Sequence, residues 1–320
     1  MRSGRAAPPV SESIESRENR WLKRFRAALS GESGGAPARR GSESSVIEEE
    51  IAGIEGARLV ATALESGIEI VALLFSETGA RHIASLEPLI PPEARLLRTS
   101  DRLFAFASGT ETPQGVAALV RPRAGTFDDL ISGVPLILIL AGVQDPGNVG
   151  TLVRTGEAFG ASGIVACTAG TIGTANPFSP KALRASAGSA LRLPIARGIS
   201  APVLLVQLRM AGVRIFAACP DDACGHTASA NLRTGANAGG PKPLAPWEID
   251  WRAPSALLIG NEGAGLPEEL VRSADAVVRI PHAQHYSVVH QDNSRGESLN
   301  AAIAGSILLY EAARQRGLNL

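Results

Sequence analysis

Apolar residues recur at helical spacing near the amino terminus. Trp21, Leu22, Phe25 and Leu29 fall on one arc of the segment Arg17 to Leu29, and Arg20, Lys23, Arg24 and Arg26 occupy the rest. This pattern predicts a basic amphipathic helix. From Ile47 to Arg121 the pattern alternates. It predicts a helix through Ile54 to Leu64, a strand over Ile68 to Phe75, a short helix near Ala80 to Leu86, and further elements at Ala94 to Leu97, Leu103 to Ser108 and Gly115 to Val120. After a connector at Arg121 to Thr126, the run from Val134 to Leu140 is almost continuously apolar and stops at Gly142 and Asp145-Pro146-Gly147. Such a run predicts a strand buried on both faces. Further strands are predicted at Gly163 to Ala166, Val213 to Ala218, Ala256 to Ile259 and Ala276 to Ile280, with helical segments between them. Alternation of this kind predicts a mainly parallel sheet covered on both sides. Asp221 to Pro246 reads as a surface insertion.

Length and composition narrow the choices. The 320 residues are 45% hydrophobic, enough for two domains with their own cores. Lys and Arg together number 31, as do Asp and Glu, so a polyanion would have to be held by local basic patches. The apolar stretch Val134 to Val143 is shorter than the roughly 20 residues that cross a bilayer, and no apolar core of a signal peptide stands at the start. No membrane partner and a cytoplasmic location are therefore expected. Three cysteines, Cys167, Cys219 and Cys224, give no disulfide framework and fit a reducing compartment.

Three stretches carry candidate chemistry. Asp145 to Gly160 leaves a buried strand, turns on Pro-Gly and enters a helix whose free amides would face the carboxyl end of the sheet, where open α/β folds place ligands. Arg154 points away from the packing stripe of Val149, Val153 and Gly156, free to pair with Glu157 or to face a substrate. Leu257 to Glu268 again runs a strand into a turn, with Gly260, Gly263 and Gly265 allowing close approach of a ligand. Neither a dinucleotide fingerprint nor a P-loop is present, which removes most support for NAD or ATP chemistry. In the third, Ile280-Pro281 is followed by Ser294 to Asn300 and a helix to Gln315. Ser294 with Glu297 fits a capping box, placing Ser298 and Asn300 in the first turns, and Ala301, Ala302, Ala304 and Gly305 make the helix thin.

Taken together, these stretches resemble the SpoU/TrmH family of S-adenosylmethionine-dependent RNA 2'-O-ribose methyltransferases in the SPOUT superfamily. The likeness rests on Asn148, Gly150, Arg154, Phe159 and Gly160, on Gly260, Glu262, Gly263 and Gly265, and on Ile280, Pro281, Ser298, Leu299, Asn300, Leu309, Tyr310 and Glu311. It covers roughly Pro135 to Arg316, including the segment Asn176 to Gly188. The amino-terminal region from Glu15 to Arg121 resembles the substrate-binding domain of rRNA-directed members, related in shape to a small ribosomal RNA-binding protein.

The resemblance implies an α/β SPOUT domain with a trefoil-knotted parallel sheet, preceded by a smaller α/β RNA substrate-binding domain. The expected division is a flexible tail at 1–10, the RNA-binding domain at 11–122, a linker at 123–132 and the methyltransferase domain at 133–320. The resemblance also implies a homodimer. S-adenosylmethionine contacts fall to Gly260, Ile280 and Leu299, and catalytic-site roles to Arg154, Asn148, Glu262, Ser298 and Asn300. The expected reaction is 2'-O-methylation of a ribose in ribosomal RNA. The sulfonium activates the methyl group, so no metal is called for. Competing readings are a tRNA ribose methyltransferase and a noncatalytic RNA-binding assembly factor on the same fold. One departure from the family is a longer link, 282–295, carrying His282, His285, Tyr286 and His290. A zinc site joining these histidines to Cys219, Cys224 and His226 matches no standard spacing.

Overall fold

The computed structural model describes residues 11–31, 51–219, 243–281 and 299–317. The chain forms two units, residues 1–123 with 176–192, and residues 124–175 with 193–320.

The first unit holds a five-stranded sheet made of β1 (Glu12–Ile14), β2 (Ala52–Glu55), β3 (Glu69–Phe75), β4 (Arg95–Thr99) and β5 (Val116–Arg121), ordered β1-β4-β3-β5-β2. β4 runs parallel to β1 and β3, and β5 runs antiparallel to β3 and β2. The basic helix forms over Arg20–Ser30, capped by Asn19, whose side chain accepts from the Trp21 N–H at 2.8 Å. Its buried face is the predicted one, Trp21, Leu22, Phe25 and Leu29, with Ala28 added. Together with Ile14, Leu74, Leu97 and Phe104 it makes one core.

One expectation needs correction here. Ile54 belongs to β2, and the helix begins at Ala57. Gly56 separates them with φ of 98°, a conformation glycine alone adopts cheaply, so the apolar pattern runs across a sharp break.

The second unit contains β6 (Leu136–Ala141), β7 (Gly163–Ala169), β8 (Ile172–Gly173), β9 (Ile195–Ser200), β10 (Arg214–Ala218), β11 (Pro243–Leu244), β12 (Ser255–Ile259) and β13 (Ala276–Val278). The order is β11-β13-β10-β12-β6-β7, with β9 parallel and β8 antiparallel to β7, and every pairing except β7–β8 is parallel. All six residues of β6 are buried, as its unbroken apolar run requires. β9 escaped the pattern because Ile195-Ala-Arg-Gly-Ile-Ser alternates only weakly and its pairing with β7 shifts register between Ala166 and Thr168.

Two helices frame the carboxyl ends of β6 and β12. Helix Pro146–Ala158 opens with Asp145, which accepts from the Gly147 N–H at 3.0 Å, and Pro146 fills the first position, where a missing N–H costs nothing. Helix Ala301–Gln315 packs along it, so close that a Cβ on Gly305 would stand 2.4 Å from Leu152 Cδ2. A hydrogen bond from Ser306 Oγ to Thr155 Oγ1 (3.0 Å) ties the two together. Among the described residues no helix is long and apolar enough to cross a membrane.

Candidate active site

β6 and β12 are adjacent parallel strands, so the loops leaving their carboxyl ends lie side by side. Asn261 staples them. Its Nδ2 donates to Gly142 O (2.9 Å), and its Oδ1 accepts from the N–H groups of Gly263 (2.9 Å) and Ala264 (2.8 Å). The turn closes through paired backbone hydrogen bonds between Asn261 and Gly265. Gly260 sits so tightly under this turn that a Cβ there would lie 2.6 Å from the Gly265 carbonyl carbon.

From the same turn Glu262 reaches back to the β6 loop. Its carboxylate accepts from the backbone N–H of Gln144 (3.2 Å) and of Asp145 (3.4 Å) and from Asn148 Nδ2 (3.0 Å). Asn300 Nδ2 in turn donates to Asn148 Oδ1 at 3.2 Å. A chain of polar groups therefore runs Asn300, Asn148, Glu262 across three loops. Desolvation pushes the Glu262 pKa upward, but the hydrogen bonds from Asn148, Gln144 and Asp145 outweigh it and hold the carboxyl below its ordinary value.

Beside this chain lies a cavity that opens to solvent. Gly260, Ile280 and Leu299, the three residues expected to hold a cofactor, all line it, together with Glu262, Val278, Ala304 and Leu308. Its wall mixes exposed backbone with aliphatic side chains.

The remaining expected residues are distributed less simply. Arg154 is exposed, makes no hydrogen bond or ion pair with the described residues, and does not line the cavity. It stands six residues beyond Asn148 on the same helix, about 9 Å along the axis. The alternative pairing with Glu157 is not formed. Ser298 lies outside the described residues, as do the tail 1–10, Cys224, His226 and the link 282–295 with its three histidines and Tyr286.

Two expectations are corrected. The last helix begins at Ala301, and Asn300 is its cap, accepting from Ala302 N–H (2.8 Å) and Ile303 N–H (3.3 Å), so Asn300 precedes the first turn. A short polar side chain that can bond forward to two amides is a stronger start signal than a capping box six residues earlier. The amides ahead of the Pro146 helix are not free. Glu262 occupies those of Gln144 and Asp145, and Asp145 occupies that of Gly147. Cys219, on the cavity wall, is disulfide-bonded, a single bond and not a framework. Cys167 is free and buried, and desolvation pushes its thiol up to about 12, so it is no nucleophile at neutral pH. No cluster of metal-ligating side chains occurs among the described residues.

The sequence reading passed over Asn261, Gln144 and Thr174. Thr174 Oγ1 donates to Leu140 O and accepts from Gly142 N–H (2.9 Å), fixing the end of β6. Asn261 was the legible one, since an Asn before glycines is a turn former that bonds the backbone two residues on.

Residues 135–310 match the SpoU rRNA Methylase family. The chain belongs to that family. Residues 48–118 match the MRM3-like substrate binding domain. Among relatives, the 23S rRNA (guanosine(2553)-2'-O)-methyltransferase RlmP of Bacillus subtilis is 31% identical over 80% of this chain and 86% of its own length. The 23S rRNA (guanosine-2'-O-)-methyltransferase RlmB of Burkholderia is 31% identical over 74% of this chain and 84% of its own. Among solved structures, the AdoMet-bound rRNA methyltransferase from Sinorhizobium meliloti is 30% identical with a TM-score of 0.69, covering 95% of this chain and 98% of that one.

Proposed function

We propose that this SpoU-family chain 2'-O-methylates a ribose of 23S-type ribosomal RNA in the cytoplasm, with S-adenosylmethionine as donor. The observation that carries the proposal is the single cavity onto which Gly260, Ile280, Leu299 and Glu262 converge. The donor fits this place. The Gly260 position has no room for a Cβ, and the wall offers backbone groups and aliphatic surface suited to an adenosine held mainly by main chain.

When bound, S-adenosylmethionine supplies a methyl group already activated by its sulfonium. The protein's task is then to hold a ribose hydroxyl in line and to help it shed a proton. Orientation of this kind is worth on the order of 7 to 11 kcal/mol at best. Arg154, exposed and with its side chain bonded to no described residue, clamps a neighbouring phosphate or stabilises charge forming on the oxygen. Its help is electrostatic, with the proton passing to phosphate or water. Asn148 positions the RNA side of the site while Glu262 and Asn300 hold Asn148, and Ser298 orders the adjoining loop. Residues 11–122 serve as the RNA-binding domain, joined through 123–132 to a knotted methyltransferase domain at 133–320.

A homodimer is part of the proposal. Ile303, Ile307 and Tyr310 lie 53%, 39% and 52% exposed on one side of the last helix, an apolar stripe at helical spacing suited to a second copy. Such packing also offers Arg154, absent from the wall of its own chain's cavity, a partner's cavity to serve. Mixing Arg154→Ala with Gly260→Ala protein tests this: activity recovered in mixed dimers supports a shared site, and none places the arginine in its own chain.

The deciding experiment for the function is transfer of tritiated methyl groups to purified ribosomal and transfer RNA pools, followed by mapping of the labelled ribose. Label on rRNA riboses is expected. Label on tRNA alone favours the tRNA reading, and no label together with no cofactor binding favours a noncatalytic scaffold.

A further inference from the structure

In the first unit, five arginines crowd two aromatic rings. The guanidinium carbons of Arg17 and Arg26 lie 4.6 and 4.3 Å from the centre of Phe106, and those of Arg20, Arg24 and Arg95 lie 5.8, 4.8 and 5.3 Å from that of Trp21. These are cation–π distances, and stacking of this sort uses the flat face of the guanidinium. The N–H edge is left over.

Among the described residues a carboxylate holds only one of these five guanidinium groups, that of Arg95. Between Arg17 and Arg26 the sequence places five cations, Arg17, Arg20, Lys23, Arg24 and Arg26, against one acid, Glu18. Glu18 is taken by Lys23, and Glu12 is taken by Arg95 at 2.7 Å. Arg17, Arg20, Arg24 and Arg26 are all exposed and make no hydrogen bond or ion pair with any described residue. In a chain whose formal charge is zero, this is a concentrated positive field held on a rigid support, since Trp21 is buried in the core beneath it.

We propose that Arg17, Arg20, Arg24 and Arg26, splayed on Phe106 and Trp21, grip the phosphate backbone of the RNA strand without reading its bases. This rests on the RNA-methylating function proposed above and extends it to an element outside the matched substrate-binding segment, which starts at residue 48. The chemistry selects phosphate. A guanidinium presents a planar fork that matches phosphate oxygens in pairs, and four of them recur along ten residues. It also selects against base recognition. Stacking of nucleobases needs a bare ring, and guanidinium groups already cover Phe106 and Trp21. These ring contacts lower the entropy that four long side chains would lose on binding, because each is partly held before the RNA arrives.

The test measures RNA binding by the full-length protein at several salt concentrations, using a 23S rRNA fragment and an unrelated duplex RNA of equal length. Replacing Arg17 and Arg26 together by Ala is expected to weaken both RNAs about equally, by roughly tenfold or more, and to lower the slope of log K against log salt by about 0.7 to 0.9 per lost phosphate contact. Arg17→Lys with Arg26→Lys keeps the charge, so the slope is retained while affinity falls. Phe106→Leu, which leaves every charge in place, is expected to weaken binding through loss of the stack. Thermal melting and cofactor calorimetry of each variant report folding and an intact donor site.

A double-Ala variant that binds both RNAs with wild-type slope overturns the proposal and leaves the arginines to an acidic protein partner. Weakening confined to the 23S fragment overturns the claim that bases are not read. Failure of the underlying function is separately visible, as wild-type protein that transfers no methyl group to any RNA.

Discussion

In the first unit, arginines crowd Phe106 and Trp21, and the side chains of Arg17, Arg20, Arg24 and Arg26 bond to no described residue, whereas around Gly260 in the second the polar groups turn inward and spend themselves on one another. Glu262 satisfies three donors and Asn261 three further groups, and Arg154 stands apart from that network. The contrast separates two ways of handling an anionic polymer. A field of mobile-edged cations captures it from a distance and tolerates any sequence, while a pre-bonded cleft fixes a reacting atom to within a few tenths of an ångström.

The contrast breaks most severely at Arg154. Arg154→Ala is expected to reduce methyl transfer by about 100- to 1,000-fold, the scale set by losing one charge-stabilising donor, with cofactor affinity within twofold by calorimetry. Near-normal turnover would return the arginine to the surface.

Gly260→Ala attacks the other element of the cleft. Its Cβ would meet the Gly265 backbone at 2.6 Å, so the turn must shift. The expected outcome is at least tenfold weaker donor binding by calorimetry, with destabilisation of about 1 to 3 kcal/mol from overpacking. RNA salt dependence should stay as it was, since the arginine surface is untouched.

Asn148→Ala cuts the Asn300, Asn148, Glu262 chain while sparing the cavity wall. A fall of roughly tenfold in kcat with little change in donor affinity is expected, consistent with removing a neutral hydrogen-bonding group of about 1 kcal/mol. Loss of donor affinity instead would assign Asn148 to the donor side.

The smallest effect concerns acid. The Glu262 pKa is lowered in the folded chain, so its stabilising contribution is complete above the ordinary carboxylate value and disappears as pH falls through the depressed folded value. Melting temperature should therefore carry a Glu262-dependent decline only on the acidic side of that range, and Glu262→Gln should remove it. Identical acid profiles for the two proteins would mean that the carboxylate does not brace the loops.

How far the sequence disclosed this comparison differs between the two regions. The buried face of the basic helix was legible, because the apolar arc fixes which side is buried and hence which residues stay outside, whereas the helix starts at Arg20 and not at the expected Arg17. Its stacking on Phe106 was not, since Phe106 lies 80 residues beyond Arg26 and only the fold brings them together. In the second unit the long apolar run of β6 and the glycine turn announced themselves, as did Gly260, Ile280 and Leu299, which the fold gathers on one wall. The hydrogen-bond partners were hidden. That Glu262 would occupy amides 117 and 118 residues away follows from the adjacency of β6 and β12, which no local pattern encodes. The break at Gly56 was missed for the opposite reason, as a periodicity that continues by chance across a residue with positive φ.

Arg316, just past the last helix, donates to four carbonyls, those of Trp251 (2.7 Å), Val134 (2.8 Å), Pro135 (2.9 Å) and Ala253 (3.0 Å). All four precede β6 and β12, at the ends opposite the glycine turn. The helix is thus moored at its far end as well as capped by Asn300 beside the cleft, and replacing this one side chain would unfasten it. The loss would then read out, 20 Å or so away by the helix rise, as a slackened donor pocket.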